Sequence, residues 1–241
     1  CLCLLVLFNQ PKSARKRAIF SVIFANAKLV GAIALFIYAA GFSYAYVNMS
    51  TGTGALLLFG AVQLTMLCVS YFTGERFSLL QWIGFGLALA GLIVLLLPSA
   101  STPPLVSAVF MVMAGMAWGV YSLLGKKAVN PLRLTAGNFA VATIISLPLL
   151  AMLAYEGNQQ FDIGGVIYAL ASGIIASGCG YAIWYKALPL IRSTTAATVQ
   201  LSVPVIATLM GWGFLAEAIN MQIIVASLMT LGGIGLVIAK R

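Results

Sequence analysis

The stretch GERFSLLQWIGFGLALAGLIVLLL, residues 74–97, decides the fold class of this 241-residue chain. After its charged start it is an apolar run of about 20 residues, the length at which an α-helix crosses a hydrocarbon core of about 30 Å. A second stretch, AEAINMQIIVASLMTLGGIGLVIA at residues 216–239, aligns with it 142 positions later. In both stretches small residues fall on one helix face. These small residues lie at 84, 88 and 91, and at 226, 230 and 233.

The composition predicts a polytopic membrane protein. Hydrophobic residues make up 62% of the chain and charged residues 7%, whereas soluble domains carry about 25% charged residues. So few charges cannot cover a water-facing surface. The length of the apolar runs favours helices, because the strands of a membrane barrel need only about 9–11 residues.

Eight full spans are expected after an apolar stub, CLCLLVLF, at residues 1–8. The stub is about a third of a span, so we expect the sequence to be a fragment that lacks one helix and most of a second. No linker between the spans is long enough to separate soluble domains. The predicted spans are 20–47, 53–73, 79–97, 105–125, 135–155, 164–185, 195–216 and 220–239.

The basic residues predict the orientation of the spans. Twelve of the 13 basic residues lie in alternate loops, on one side of the predicted bilayer. The positive-inside rule makes that side cytoplasmic, together with the C-terminus. The net charge of +9 comes from these short clusters and not from a continuous basic domain, which argues against nucleic acid as a partner. The clusters are Lys12, Arg15, Lys16 and Arg17; Arg76; Lys126, Lys127 and Arg133; Lys186 and Arg192; and Lys240 and Arg241.

The repeat is expected to be inverted. Glu75 and Glu217 each close the preceding span, the first on the inner side and the second on the outer side. An odd number of helices per unit gives this inversion, so each unit should hold five helices. The predicted units are an incomplete N-terminal repeat at 1–98 and a C-terminal repeat at 105–241. Inverted repeats are typical of secondary transporters, whose substrate site lies near mid-membrane.

With these features the sequence resembles the ten-helix EamA-type branch of the drug/metabolite transporter superfamily. The resemblance rests on two similar helix junctions, FSYAYVNMSTGTGALL at 42–57 and WYKALPLIRSTTAATV at 184–199. It rests also on the two acidic helix ends and the paired glycine-rich closing helices. It implies a carrier of the bacterial inner membrane that moves small metabolites, often amino acids or drugs, usually outward. It also implies a cavity lined mainly by the first three helices of each half.

Lys28 is the basic residue that falls inside a predicted span. One interpretation is a lysine that extends its stem to the headgroups or pairs with a lipid phosphate. The other is a cation that faces the cavity and binds an anion or carboxylate, because intramembrane charges usually face the bundle interior. Its neighbours Ala25, Gly31 and Ala32 give it a face of small residues, which favours the second interpretation.

Further candidate substrate contacts are uncharged. Trp118, Tyr121 and Ser122 share one helix face and could stack on a substrate, or they could belong to an interfacial aromatic belt. Asn138 could hydrogen-bond a substrate or a neighbouring helix. Ser177 and Tyr181 follow each other by one turn in a segment rich in small residues.

A hinge is predicted where Pro204 removes the helical hydrogen bond to the carbonyl of Gln200. The earlier span 164–185, which contains Ser177 and Tyr181, could line a cavity or simply pack closely. A structural kink without gating is the alternative for the hinge.

The sequence also indicates what this chain lacks. No carboxylate lies in the middle of a predicted span, so proton coupling through a buried acid is not supported. There is no nucleotide-binding motif, no metal-ligating cluster and no nucleophile–base pair. We therefore expect no enzyme activity, no cofactor and no metal.

The expected function is a secondary transporter that exports a small carboxylate-bearing or aromatic metabolite by alternating access. A non-transporting membrane scaffold or sensor, or an inactive truncated carrier, is the alternative. The expected partners are the small-molecule substrate and the lipid bilayer. A homodimer is possible, since the small-residue faces could pack within the chain or between two copies.

Overall fold

The computed structural model describes residues 27–97, 102–155, 162–215 and 220–239. Within these ranges, all regular secondary structure is helical, and eight segments are long and apolar enough to cross a membrane. This confirms the all-α, polytopic membrane class predicted from the sequence.

The helices are numbered in chain order along the described residues. A π-helical segment, Ser172–Cys179, joins the sixth helix to the seventh, and a short 3-10 turn, Leu188–Leu190, follows the seventh. The helices are α1 Leu29–Val47, α2 Thr51–Phe72, α3 Leu79–Leu96, α4 Leu105–Lys126, α5 Pro131–Tyr155, α6 Ile163–Ala171, α7 Gly180–Ala187, α8 Ser193–Gln200, α9 Ser202–Leu215 and α10 Met221–Ala239.

The helix boundaries lie within a few residues of the predicted ones, with one exception. The first full span was predicted at 20–47, whereas helix α1 begins at Leu29, and Lys28 immediately precedes it. Residues 20–26 and the stub at 1–8 lie outside the described residues. The predicted start of this span at residue 20 therefore stays a prediction.

The chain forms two compact units. The first combines Cys1–Phe36 with Tyr121–Leu190, and the second combines Ile37–Val120 with Ile191–Arg241. Helices α1 and α4 each contribute to both units. The division into repeats at 1–98 and 105–241 stays a prediction from the sequence.

The turn between α2 and α3 is built from two capping motifs. Gly74 adopts a left-handed backbone with φ of 89°, which costs glycine little because it has no Cβ. The Gly74 amide bonds the Tyr71 carbonyl at 3.2 Å, and the Glu75 amide bonds the Ser70 carbonyl at 3.0 Å. This is a Schellman motif, and it ends α2 in front of the Glu75 side chain.

Helix α3 begins with a capping box. The Ser78 hydroxyl accepts from the Gln81 amide at 3.4 Å, while the Gln81 side-chain oxygen accepts from the Ser78 amide at 3.0 Å. These two bonds satisfy donors that the first turn of a helix leaves without intrahelical partners. The short sequence TGERFS thus reverses the chain between two spans in six residues.

Helices α3 and α10 pack antiparallel in the second unit, at a distance that only small residues permit. A Cβ added to Gly84 would lie 2.7 Å from the carbonyl oxygen of Gly233, and one added to Gly91 would lie 2.8 Å from that of Ala226. The predicted small-residue faces therefore pack against each other within one chain. Gly84 corresponds to Ala226 in the 142-residue alignment, and Gly91 corresponds to Gly233. The contact between Gly84 and Gly233 therefore has a counterpart in the contact between Ala226 and Gly91. This pair of equivalent contacts supports the inverted repeat, which stays a prediction.

Two glutamines tie the same helix pair together near its two ends. The Gln81 amide nitrogen donates to the Val237 carbonyl at 3.3 Å, and that of Gln222 donates to the Val94 carbonyl at 2.6 Å. A hydrocarbon environment contains no water to hydrogen-bond these side-chain amides, so the helix carbonyls serve as their partners. The pair is therefore held by backbone contact at its centre and by amide hydrogen bonds towards its ends.

Two adjacent glycines of α10 allow a matched test of this packing. A Cβ at Gly233 would meet the Gly84 carbonyl oxygen and lie 2.5 Å from the Ala88 amide nitrogen, whereas one at Gly232 has nothing within 4 Å. Gly233→Ala is expected to destabilise the protein by about 1–3 kcal/mol, because the clash is with backbone. Gly232→Ala should be neutral or stabilising by about 0.5–1 kcal/mol, because alanine favours the helix. Thermal unfolding in detergent measures both, and equal behaviour of the two variants would contradict this packing.

Candidate substrate site

The first unit places Asn138 against the start of α1. Its side chain is 1% exposed, and its Oδ1 accepts the backbone N–H of Lys28 at 2.8 Å. A Cβ on Gly31 would collide with the Asn138 side chain, so glycine leaves room for that side chain in its present position. The Lys28 side chain is exposed. Asn138 therefore fixes the main chain at Lys28 and leaves the ammonium group outside the contact.

Three tyrosines of α4 and α7 form an aromatic cluster in the same unit. The Tyr185 hydroxyl donates to the Tyr121 carbonyl at 3.2 Å, and the two rings meet edge to face with centroids 5.6 Å apart. The Tyr181 ring lies 6.2 Å from Tyr121 and makes an edge-to-face contact with Phe139 at 5.0 Å. A Cβ on Gly125 would collide with the Tyr185 ring, so glycine admits that ring beside α4.

Polar side chains surround the two buried phenols. Thr135 and Asn138 neighbour the Tyr121 side chain, and Ser122 neighbours that of Tyr185. The Thr135 and Ser122 hydroxyls are buried there, and within the described part of the chain neither completes a hydrogen bond of good geometry. The result is a buried group of hydroxyls and one amide within membrane-spanning helices. Such groups are costly in a membrane and often mark functional sites.

The cluster joins the predicted residues Tyr121, Asn138 and Tyr181. It also contains Thr135 and Tyr185, which sequence reasoning missed. Both could have been found from spacing, since Thr135 lies one turn before Asn138 and Tyr185 one turn after Tyr181.

Ser177 was predicted as a further site residue. It lies half-buried in the π-helical segment Ser172–Cys179, and the contacts described for the tyrosine cluster do not include it. The π-helical geometry falls in the segment that the sequence shows to be rich in small residues. Such segments are frequent at functional sites.

The second unit pairs an indole with an amide. Trp118 Nε1 donates to Gln200 Oε1 at 2.5 Å, and the Trp118 ring lies 5.1 Å from the Tyr38 ring. The Gln200 nitrogen reaches the Ala196 carbonyl at 3.3 Å and the Met66 sulfur at 3.2 Å. The predicted contact Trp118 and the predicted hinge residue Gln200 thus belong to one group, to which Tyr38 also contributes.

Gln63 is a second buried amide in this unit, and the sequence analysis did not single it out. It is 2% exposed and donates from Nε2 to the Ala197 carbonyl at 2.6 Å. Its Oε1 has no hydrogen-bond partner among the described residues. A survey of uncharged polar residues in mid-span would have found it, because an amide in an apolar run requires a partner.

The helix is interrupted at the position predicted from Pro204. Helix α8 ends at Gln200 and α9 begins at Ser202. At the junction the Leu201 amide bonds the Thr198 carbonyl at 3.0 Å, a tighter pattern than that of an α-helix. The use of this break as a hinge stays a prediction.

Glu75 caps the start of α8 from the end of α2. Its Oε1 accepts the Ser193 amide at 3.2 Å, and its Oε2 accepts the amide and the hydroxyl of Thr194 at 3.1 and 3.3 Å. A carboxylate is favoured at a helix N-terminus, where amide donors and the helix dipole carry positive charge. This contact joins residues 118 positions apart, and sequence reasoning did not find it.

The apolar helices define an integral membrane protein, and similarity to known proteins identifies it as a membrane transporter. Residues 105–239 match the EamA-like transporter family. An uncharacterized protein of Pseudomonas aeruginosa is 51% identical over 211 residues, which cover 88% of this chain and 73% of that protein. The chain belongs to the EamA-like transporter family. Membership points to a transporter and not to an enzyme.

Two more distant proteins extend the comparison. A protein of Streptantibioticus cattleyicolor named a probable terminal-alkyne amino-acid exporter is 22% identical over 212 residues, covering 87% of this chain and 71% of that one. A solved crystal structure superposes with a TM-score of 0.78 at 18% identity, covering 99% of this chain and 82% of the other. That structure shows the fold alone.

The Glu75 cap yields a graded prediction. Glu75→Ala removes all three accepted hydrogen bonds and is expected to cost about 0.5–2 kcal/mol, as for other N-caps. Glu75→Gln should lose part of this, because an amide nitrogen replaces one accepting oxygen. Asp162→Ala is the comparison, because Asp162 is the exposed N-cap of α6 and accepts a single hydrogen bond, from the Gly165 amide at 3.1 Å, so it should cost less than Glu75→Ala. Thermal unfolding ranks the variants, and a larger loss for Asp162→Ala would contradict the role of Glu75.

Proposed function

We propose that this protein exports a small metabolite, an amino acid or a related carboxylate or aromatic compound, by alternating access. The observation that carries the proposal is the group formed by Trp118, Gln200 and Tyr38 in the second unit. Two aromatic rings and an amide lie there within membrane-spanning helices of a transporter-family chain. Intramembrane polar groups of this kind mark substrate pathways.

The chemistry of this group suits an aromatic or amphipathic substrate. The Trp118 side chain is half-buried, so part of its ring is accessible. An indole face attracts planar rings and organic cations. The Gln200 amide holds the indole through its N–H and so fixes the orientation of the ring. A substrate would therefore meet a preset aromatic surface.

Lys28, in the first unit, is a separate candidate for a carboxylate contact. Its side chain is exposed at the start of α1, and its main chain is bound by Asn138. A lysine ammonium presents three donors to an anion. The anchored backbone limits where the ammonium can reach. The Streptantibioticus cattleyicolor relative, named an amino-acid exporter, supports a substrate with a carboxylate.

The mechanism we propose is alternating access by an inverted pair of repeats. The two equivalent contacts between α3 and α10 support that symmetry. The break at Leu201 provides a position at which a helix can bend. The proposed location is the bacterial inner membrane with the C-terminus in the cytoplasm. The placement of twelve of the 13 basic residues on one side supports this orientation.

The indole–amide pair can be tested with two matched tryptophan variants. Trp118→Phe keeps an aromatic ring but loses the N–H that Gln200 binds. It is expected to lower transport about tenfold, the effect of about 1.4 kcal/mol from one buried hydrogen bond. Trp184→Phe is the control, because within the described residues the Trp184 indole nitrogen has no hydrogen-bond partner.

The measurement is efflux of a panel of labelled aromatic and aliphatic amino acids and related carboxylates from cells that express the protein. Membrane abundance of each variant is measured in parallel. Equal efflux by the two tryptophan variants would exclude the indole N–H as a site determinant. If no compound of the panel leaves these cells faster than it leaves cells that lack the protein, the proposed substrate class is wrong.

Lys28 gives a separate test of the carboxylate contact. Lys28→Ala is expected to abolish efflux of carboxylate substrates at unchanged abundance, because it removes the proposed counter-ion, whereas Lys28→Arg should retain part of it. Lys127→Ala, at another exposed lysine, should leave efflux unchanged. Full efflux in Lys28→Ala would show that this lysine is not a substrate contact.

A further inference from the structure

A groove of about 470 Å³, open along one side, runs along the end of α2 in the second unit. Its volume falls in the range of ligand pockets, roughly 300–1,000 Å³. The lining is almost wholly apolar, and several of its large side chains remain exposed. The main apolar lining residues are Leu64, Leu67, Phe72, Phe77, Trp82 and Phe85.

The rim of this groove carries a fixed cation. The Arg76 guanidinium lies over the Tyr71 ring at 3.9 Å, and its Nη1 donates to the Tyr71 carbonyl at 2.5 Å. Both residues line the groove. A guanidinium has five N–H donors, and the described hydrogen bonds of Arg76 use only Nη1. The remaining donors are available to an anion such as a phosphate, two of whose oxygens can pair with the planar guanidinium.

The carboxylate beside this cation is already occupied. Glu75 also lines the groove, but its two oxygens accept three hydrogen bonds from Ser193 and Thr194. It therefore has little capacity left for an ammonium group. The groove mouth is suited to a phosphate, and it lacks the open carboxylate that an ammonium headgroup would require.

The position of the groove agrees with an interfacial ligand. Tyr71 and Trp82 are 58% and 52% exposed near helix ends, as is typical of residues at the boundary between membrane and water. Arg76 belongs to the side predicted to be cytoplasmic. Anionic lipids are concentrated in that leaflet, and basic residues near its surface attract them.

From these observations we propose that the groove binds one anionic phospholipid of the inner leaflet. An acyl chain lies along the apolar lining, and the headgroup phosphate pairs with Arg76. Tyr71 holds the guanidinium in place through its ring and its carbonyl. The proposal is independent of the transported substrate.

Trp82 provides a reporter inside the groove. In a variant with Trp118, Trp184 and Trp212 replaced by phenylalanine, its fluorescence is measured in bilayers of unlabelled phosphatidylcholine. Small amounts of brominated phosphatidylglycerol or brominated phosphatidylcholine are added as quenchers. Phosphatidylglycerol is expected to quench Trp82 at about a fivefold lower mole fraction, which corresponds to about 1 kcal/mol for one basic residue at an anionic headgroup.

The controls separate a site from general attraction to charge. Arg76→Ala should abolish the difference between the two lipids, whereas Lys127→Ala should retain it. A parallel variant that keeps only Trp184, which lies outside the groove lining, should show no preference. Native mass spectrometry of the unsubstituted protein should show retained phosphatidylglycerol that Arg76→Ala loses.

Three results would overturn the proposal. Equal quenching of Trp82 by both lipids would show an aromatic belt without headgroup recognition. A preference that survives Arg76→Ala would assign the effect to the summed surface charge. Absence of quenching by either lipid would show that protein, and not lipid, covers the groove. Because these readouts involve no transport, their failure leaves the proposed export function standing.

Discussion

The direct backbone contact between α3 and α10 is the constraint on which the second unit depends. Within a bilayer, apolar side chains gain little by leaving lipid for protein, because lipid tails are as apolar as leucine. Helices associate there through close contact and hydrogen bonding, and glycine permits both. Gly84 and Gly233 each leave the space that a Cβ would need against the partner backbone. Their closeness brings Leu92 and Val237 into the core, where each is 1% exposed.

Amide side chains supply a second kind of attachment between helices distant in sequence. Gln63, Gln81 and Gln222 each donate to a carbonyl more than 120 residues away. A donor left unpaired in hydrocarbon is costly, whereas a helical carbonyl can accept a second bond through its free lone pair. Gln63 differs from the other two, because its oxygen has no hydrogen-bond partner among the described residues. Its donor helps to hold α2 against α8.

The features that depend on hydrophobic composition and helical periodicity could be predicted from the sequence. Contacts between residues distant in the chain could not. Span positions and the small-residue faces follow from hydrophobic length and helical spacing, and the structure has both. The partner of Glu75 could not be predicted, because its hydrogen bonds to Ser193 cross 118 residues. Lys28 was placed inside a helix by its apolar flanks, yet it precedes α1 and is bound through its backbone by Asn138. Periodicity assigns a residue to a face, but it does not identify what that face meets.

The hydrogen bonds around α8 bear on which helix would move if Leu201 is a hinge. Helix α8 is bound at its start by Glu75 and at its end through the side chain of Gln200. The described side-chain hydrogen bonds of α9 remain local, from Ser202 to Val199 and from Thr208 to Pro204. Bending at the break would therefore cost fewer hydrogen bonds if α9 moves while α8 stays. Motion of α8 itself would have to release a carboxylate cap and the indole–amide pair, and the second of these is the proposed substrate contact.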